Sequence, residues 1–110
     1  MGREQIISAY LSAYVFADGA AYVAYCPELD ISASGADEED ARQALSEVLS
    51  IYFDDTINRG TLEEDLLAHG WRKNKRGVAE PTTSSLLRHS ALRNIMAKKE
   101  FRKYAVPIEA

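Results

Sequence analysis

Apolar residues recur along this chain first with a period of two and then with the spacing of a helix. The stretch QIISAYLSAYVFADGAAYVAYC, residues 5–26, predicts a β-hairpin. Alternation over this length marks strands, and Asp18-Gly19 is a strong turn signal because glycine tolerates the positive φ of a tight hairpin. With Asp18 and Gly19 as the two turn residues, Ala17 faces Ala20, Val15 faces Tyr22 and Tyr14 faces Val23. One face then holds Tyr10, Tyr14, Phe16, Val23 and Tyr25, and the other Ile7, Leu11, Val15, Tyr22 and Cys26. Neither face is polar, so both should be covered, one by a helix and the other by something else.

Pro27 has no N–H for a ladder and ends the second strand. LDISAS gives a short third strand with Leu29, Ile31 and Ala33 on one face, and Gly35 lets the chain turn into a helix. Asp37 is the expected N-cap, and Glu38, Glu39 and Asp40 place negative charge at the positive end of the helix dipole. The stripe Ala41, Ala44, Leu45, Val48, Leu49, Tyr52 keeps helical spacing, and Gly60 ends it. TLEEDLLAHG predicts a shorter second helix, with Thr61 and Glu64 as a capping box and Gly70 as its stop.

Beyond Trp71 the chain is basic and then rich in turn residues, with at most a short strand in WRKNKRGVAEPTTSS. SLLRHSALRNIMAKK predicts a helix carrying Leu86, Leu87, Leu92, Ile95 and Met96. EFRKYAVPIEA is extended, with Tyr104, Val106 and Ile108 on one side; Pro107 makes it an edge strand or an arm to another subunit. The whole reads as an α+β fold: a β-β-β-α core with an antiparallel sheet, a second short helix, then a C-terminal helix and edge strand. Residues 1–71 form the core, and residues 72–110 are a basic extension packed on the same domain or on a second subunit.

At 110 residues the chain makes one domain. No apolar run approaches the roughly 20 residues that cross a bilayer, and the first residues lack the continuous apolar block of a secretory signal. Cys26 is the only cysteine, which excludes an internal disulfide and fits a reducing cytoplasm. The net charge of −4 conceals a split: residues 1–70 hold 3 bases against 14 acids, or −11, and residues 71–110 hold 10 bases against 3 acids, or +7. Such asymmetry points to a charged partner for one half or to an electrostatic fit between the halves.

Candidate chemistry is sparse. Consecutive helical residues diverge, so the carboxylates of DEED and of Asp54-Asp55 do not converge on one point. The strands offer only Asp18 and Asp30, too few for a two-metal site. His69 and His89 are the only imidazoles, and no further Cys or His completes a zinc site. The serines at 82–85 have no Gly-x-Ser-x-Gly elbow, and the six glycines form no phosphate loop. The expectation is therefore a protein that is not an enzyme and needs no cofactor or metal. Arg72, Lys73, Lys75 and Arg76, beside Trp71, could form a modest phosphate-binding patch for nucleic acid or a charged guard on an edge strand. Sequence-specific DNA binding lacks support, because the C-terminal segment holds one helix rather than a helix-turn-helix pair.

One resemblance emerges from this order of elements. Hairpin, YCPELDISASG, then an acid-led helix with an alanine-rich stripe resembles the HicB-like antitoxin family. Tyr25, Pro27, Glu28, Leu29, Ser34, Gly35, Glu39 and Ala41 stand at comparable places, with Ser34 one position nearer the glycine than is usual. The likeness runs to Gly70-Trp71, about two-thirds of the chain. It implies a truncated ribonuclease-H-like core without catalytic carboxylates, in which Pro27, Leu29, Gly35 and Ala41 are structural. It also implies a partner, a small basic HicA-like toxin that degrades messenger RNA. The DNA-binding module many members carry has no counterpart in residues 72–110. The residues expected to meet the toxin are Glu28, Asp30, Asp37, Glu38, Glu39 and Asp40, in a homo-oligomer whose second subunit covers the remaining sheet face. The competing reading is a solitary homo-oligomeric module whose oppositely charged halves pair between subunits, and a third is a weak non-specific nucleic-acid binder.

Overall fold

A computed structural model describes residues 8–74, 77–79, 81, 86, 90–97 and 100–109. Strands β1 (Ser8–Asp18), β2 (Ala21–Cys26) and β3 (Ile31–Gly35) lead into the long helix α1 (Glu38–Arg59) and the short α2 (Leu62–Ala68). A small hairpin follows, β4 (Arg72–Asn74) with β5 (Gly77–Ala79), then α3 (Ser90–Ala97) and β6 (Arg102–Glu109). The main sheet is antiparallel throughout, in the order β3-β2-β1-β6. The α+β class and the order of elements are those the sequence predicts. Two elements depart from expectation. The basic stretch after Trp71 makes two paired strands rather than one, and Thr61 precedes α2 without a side-chain capping bond.

The first hairpin has the predicted faces but a different register. Asp18 pairs with Ala21, Val15 with Ala24 and Tyr14 with Tyr25, so the turn residues are Gly19 and Ala20. This choice confines positive φ to Gly19, at 65°, and spares Asp18 the left-handed conformation. Each partner shifts by two positions, which preserves the side of the sheet on which every residue lies. Leu11, Ala13, Val15, Ala24 and Cys26 thus share one buried face, packed under Ala41, Leu45, Leu49 and Phe53 of α1 and joined by Leu62, Leu66 and Trp71. Val48, expected within that stripe, is 38% exposed. The buried positions of α1 follow a narrower line through residues 41, 45, 49, 53 and 56, which leaves Val48 on its flank.

The opposite face is covered by the chain itself. Tyr14 and Tyr25 pack with Leu86, Leu92 and Ile95, with Phe16 and Phe101 at the rim. The face that motivated a second subunit is therefore packed against Leu86 and α3. β6 lies along β1 as an edge strand, and its Tyr104 and Val106 join the α1 side of the core. The basic C-terminal segment is built into the same sheet as the acidic core. No helix among the described residues is long and apolar enough to cross a membrane.

Candidate partner-binding surface

The turn between β2 and β3 holds the first of the six acids. In a two-residue hairpin the pair flanking the turn exchanges hydrogen bonds and every second pair after it does the same. Asp18–Ala21, Phe16–Val23 and Tyr14–Tyr25 are such pairs, and the next would join Ser12 to Pro27. Pro27 has no N–H to give the Ser12 carbonyl, and the chain turns away there, which takes the Pro27 carbonyl out of reach and leaves the Ser12 N–H without its ladder acceptor. Glu28 replaces it: Oε1 accepts from Ser12 N at 3.0 Å and from the Cys26 thiol at 3.5 Å. Glu28 is only 4% exposed, and its carbonyl accepts from Trp71 Nε1 at 3.0 Å. Its expected place on a partner-binding surface is corrected accordingly. It closes the end of the sheet and ties it to the end of α2. Burial, followed by the nearby Glu28 charge, pushes the Cys26 thiol well above its ordinary pKa, so Cys26 stays a neutral core residue.

The other acids are split between structural duties and solvent. Asp30 is exposed, has a left-handed φ of 55° and accepts from the Tyr25 hydroxyl at 2.7 Å. Burial and that bond raise the Tyr25 pKa. Asp37 is the N-cap of α1, with Oδ1 accepting from Asp40 N at 2.8 Å. Glu38 turns towards β6: its carboxylate accepts from the Tyr104 hydroxyl at 3.3 Å and lies 3.9 Å from Arg102 Nε. Glu39 and Asp40 are exposed, with Glu39 at the 4.0 Å limit of an ion pair to Arg42. Of these six acids, Glu39 and Asp40 combine exposure with no structural hydrogen bond of their own carboxylate among the described residues.

Pro27, Leu29, Gly35 and Ala41 are the positions expected to be structural. Pro27, Leu29 and Ala41 are buried. At Gly35 the start of α1 presses on the strand end: a Cβ there would lie 2.5 Å from Ala41 N and 2.6 Å from Asp40 Cβ. No side chain larger than hydrogen fits without moving backbone. The basic candidates are divided. Arg72 is exposed, Lys73 Nζ lies 2.9 Å from Glu63 of α2, and Lys75 and Arg76 lie outside the described residues, as does His89. His69 is the C-cap of α2, and its Nδ1 lies 2.9 Å from the Asp65 carbonyl.

Several contacts were not legible in the sequence pattern. Arg42 stacks 3.8 Å above the Tyr104 ring, bordering an open groove of about 320 Å³ between α1 and β6 lined by Glu39, Gln43, Ser46 and Val106. Tyr52 donates to Asp65 at 2.6 Å, fixing α2 against α1, and burial raises its pKa. Among the described residues the ion pairs Lys73–Glu63 and Arg102–Glu38 join the basic half to the acidic half, so part of the charge split is satisfied inside the molecule. Among the described residues no group of three His, Cys, Asp or Glu side chains is arranged to hold a metal ion. Comparisons with protein-family models, curated proteins and solved structures found no match to this chain.

Proposed function

We propose that this protein is an antitoxin-type binding protein of the HicB-like kind, which neutralises a small basic, messenger-RNA-degrading HicA-like toxin through its acidic half. The observation that carries the reading is the acidic excess of residues 1–70, −11 in all, of which Glu63 and Glu38 face bases of the other half in ion pairs among the described residues. Glu39, Asp40, Glu47, Asp54 and Glu64 are all exposed on α1 and α2. A field of this sign speeds encounter with a cationic RNA-binding protein and disfavours acidic competitors. Carboxylates held in a folded surface stand in for the phosphates such a partner binds, and so keep its RNA out. The resemblance carried by Tyr25, Pro27, Leu29, Gly35 and Ala41 supplies the kind of partner. Reduced need for a covering subunit leaves homo-oligomer formation as a separate proposal, resting on surface rather than on an open core.

The test is co-expression with the short basic open reading frame expected beside its gene. The expected result is growth arrest by that frame alone, rescue by this protein, and a complex that weakens steeply with salt. Reversing Glu39 and Asp40 to lysine should cost rescue while leaving the fold intact. A purified complex indifferent to both salt and charge reversal would sink the reading.

A further inference from the structure

The two edges of the main sheet differ in a way that selects one of them for docking. β6 is guarded by Pro107 and by Arg102 and Lys103, devices that discourage strand addition. β3 has neither proline nor base. Alternation from the hairpin turn makes Tyr22–Gly35, Ala24–Ala33 and Cys26–Ile31 the bonded pairs between β2 and β3. Ser32 and Ser34 therefore turn their backbone N–H and C=O groups to the open side, and both are exposed.

The flank of α1 above that edge is apolar at its centre. α1 packs mainly over β3 and β2, while Gln43 and Ser46 look into the groove on the β6 side. At roughly 100° per residue, Val48 and Ile51 fall on the opposite flank, towards β3. Ile51 is 67% exposed and Val48 38% exposed. Asp40, Glu47 and Asp54 lie in the same sector, within about 120° of helix surface. Of the two bases of the helix, Arg42 is engaged on the other side, over Tyr104, and Arg59, at the C-terminal end of this flank, is paired with Asp55 at 3.1 Å.

We infer that the open edge of β3 and the Val48–Ile51 flank of α1 together form the docking surface for a basic protein partner, which adds an extended strand at Ser32 and Ser34 and sets apolar side chains against Val48 and Ile51. This inference rests on the reading of the acidic half as a binder of a cationic protein, and it says where. Backbone bonds to the edge supply register, the apolar centre supplies burial, and the acid rim selects a cationic partner. A second copy of this chain would bring the same carboxylates against one another, which disfavours it as occupant.

The probe is a short synthetic peptide of alternating valine and lysine, with a valine–glutamate counterpart, titrated into the intact protein at low salt and followed by nuclear magnetic resonance. The expected result is binding of the lysine peptide only, with the amides of Ser32 and Ser34 and the methyls of Val48 and Ile51 shifting most. Ile51→Lys and Ser32→Pro should each weaken it by on the order of tenfold or more, and Ile57→Lys, on another side of α1, should not. Ser32→Pro removes an outward N–H without breaking a ladder bond, so loss of folding is not its expected effect. Binding unchanged by Ile51→Lys and Ser32→Pro would overturn the location and leave the acidic-binder reading standing. No binding of the lysine peptide would overturn both. A dimer in light scattering that dissociates with Ile51→Lys would assign the surface to a second copy and overturn the basic-partner assignment.

Discussion

Replacing Glu28 by alanine tests whether this acid belongs to the fold or to a binding surface. The substitution removes the acceptor of Ser12 N, at 3.0 Å, and of the Cys26 thiol, at 3.5 Å. Ser12 has no backbone partner on that side, because Pro27 has left the ladder, so its N–H is stranded. An unsatisfied buried donor costs about 1–3 kcal/mol. The vacated volume around a side chain of a residue only 4% exposed adds a cavity cost. Release of a buried carboxylate offsets part of this, leaving a net loss of about 2 kcal/mol. With an unfolding entropy of about 2.1 cal/mol/K per residue, or roughly 0.23 kcal/mol/K for a chain of this size, that loss lowers Tm by about 9 °C. Trp71 is the chain's single tryptophan, is buried and keeps its bond to the Glu28 backbone carbonyl, so its fluorescence reports the global transition. Thermal and urea melts of Glu28→Ala should be compared with Glu39→Ala, an exposed control expected to stay within about 0.5 kcal/mol. If the Glu28→Ala and Glu39→Ala proteins melt together, the carboxylate is not replacing a ladder bond and the account of this turn fails.

Gly35→Ala should lower stability by about 1–3 kcal/mol, since the added Cβ meets helix backbone rather than a movable side chain. Urea titration checks it, and an unchanged or raised midpoint would show that the corner between β3 and α1 is looser than the 2.5 Å approach implies. Stability should also fall in alkali: Tyr25, Cys26 and Tyr52 hold their protons more tightly folded than unfolded, mainly through burial. That stabilisation is complete below the ordinary values of 9.0 for cysteine and 10.0 for tyrosine and is lost as pH rises above them. Urea midpoints measured from pH 7 upward should decline there, less so in Tyr52→Phe; a midpoint that rises with pH contradicts the burial of these groups.

The acids of the junction between β2 and α1 illustrate how one sequence pattern divides into unlike roles. Their common charge is a property of composition, yet Glu28 faces inward, Asp37 caps, Glu38 bonds β6, and only Glu39 and Asp40 face solvent without such duties. As a surface the run is interrupted, with Glu28 buried. The exposed acids farther along α1, together with Val48 and Ile51, offer a more continuous one.

Local rules were enough for much of this protein. Alternation over β1 and β2 fixes which side chains share a face, Gly60 stops α1 with φ of 71°, and Asp37 caps it, because each depends on neighbours a few residues away. The apolar character of both sheet faces likewise required two covers. What covers the second face was not legible, since Leu92 and Ile95 meet Tyr14 and Tyr25 across most of the chain. Nor was the inward turn of Glu28, which depends on an N–H that Ser12, 16 residues earlier, cannot satisfy within the sheet. The exposure of Val48 belongs with these: helical spacing defines a stripe, but the angle at which α1 meets the sheet decides which edge of that stripe is buried. Sequence determines what each segment must bury, and tertiary contact alone determines against what, because long-range partners are selected by the shape of the assembled layers rather than by any periodicity within one of them.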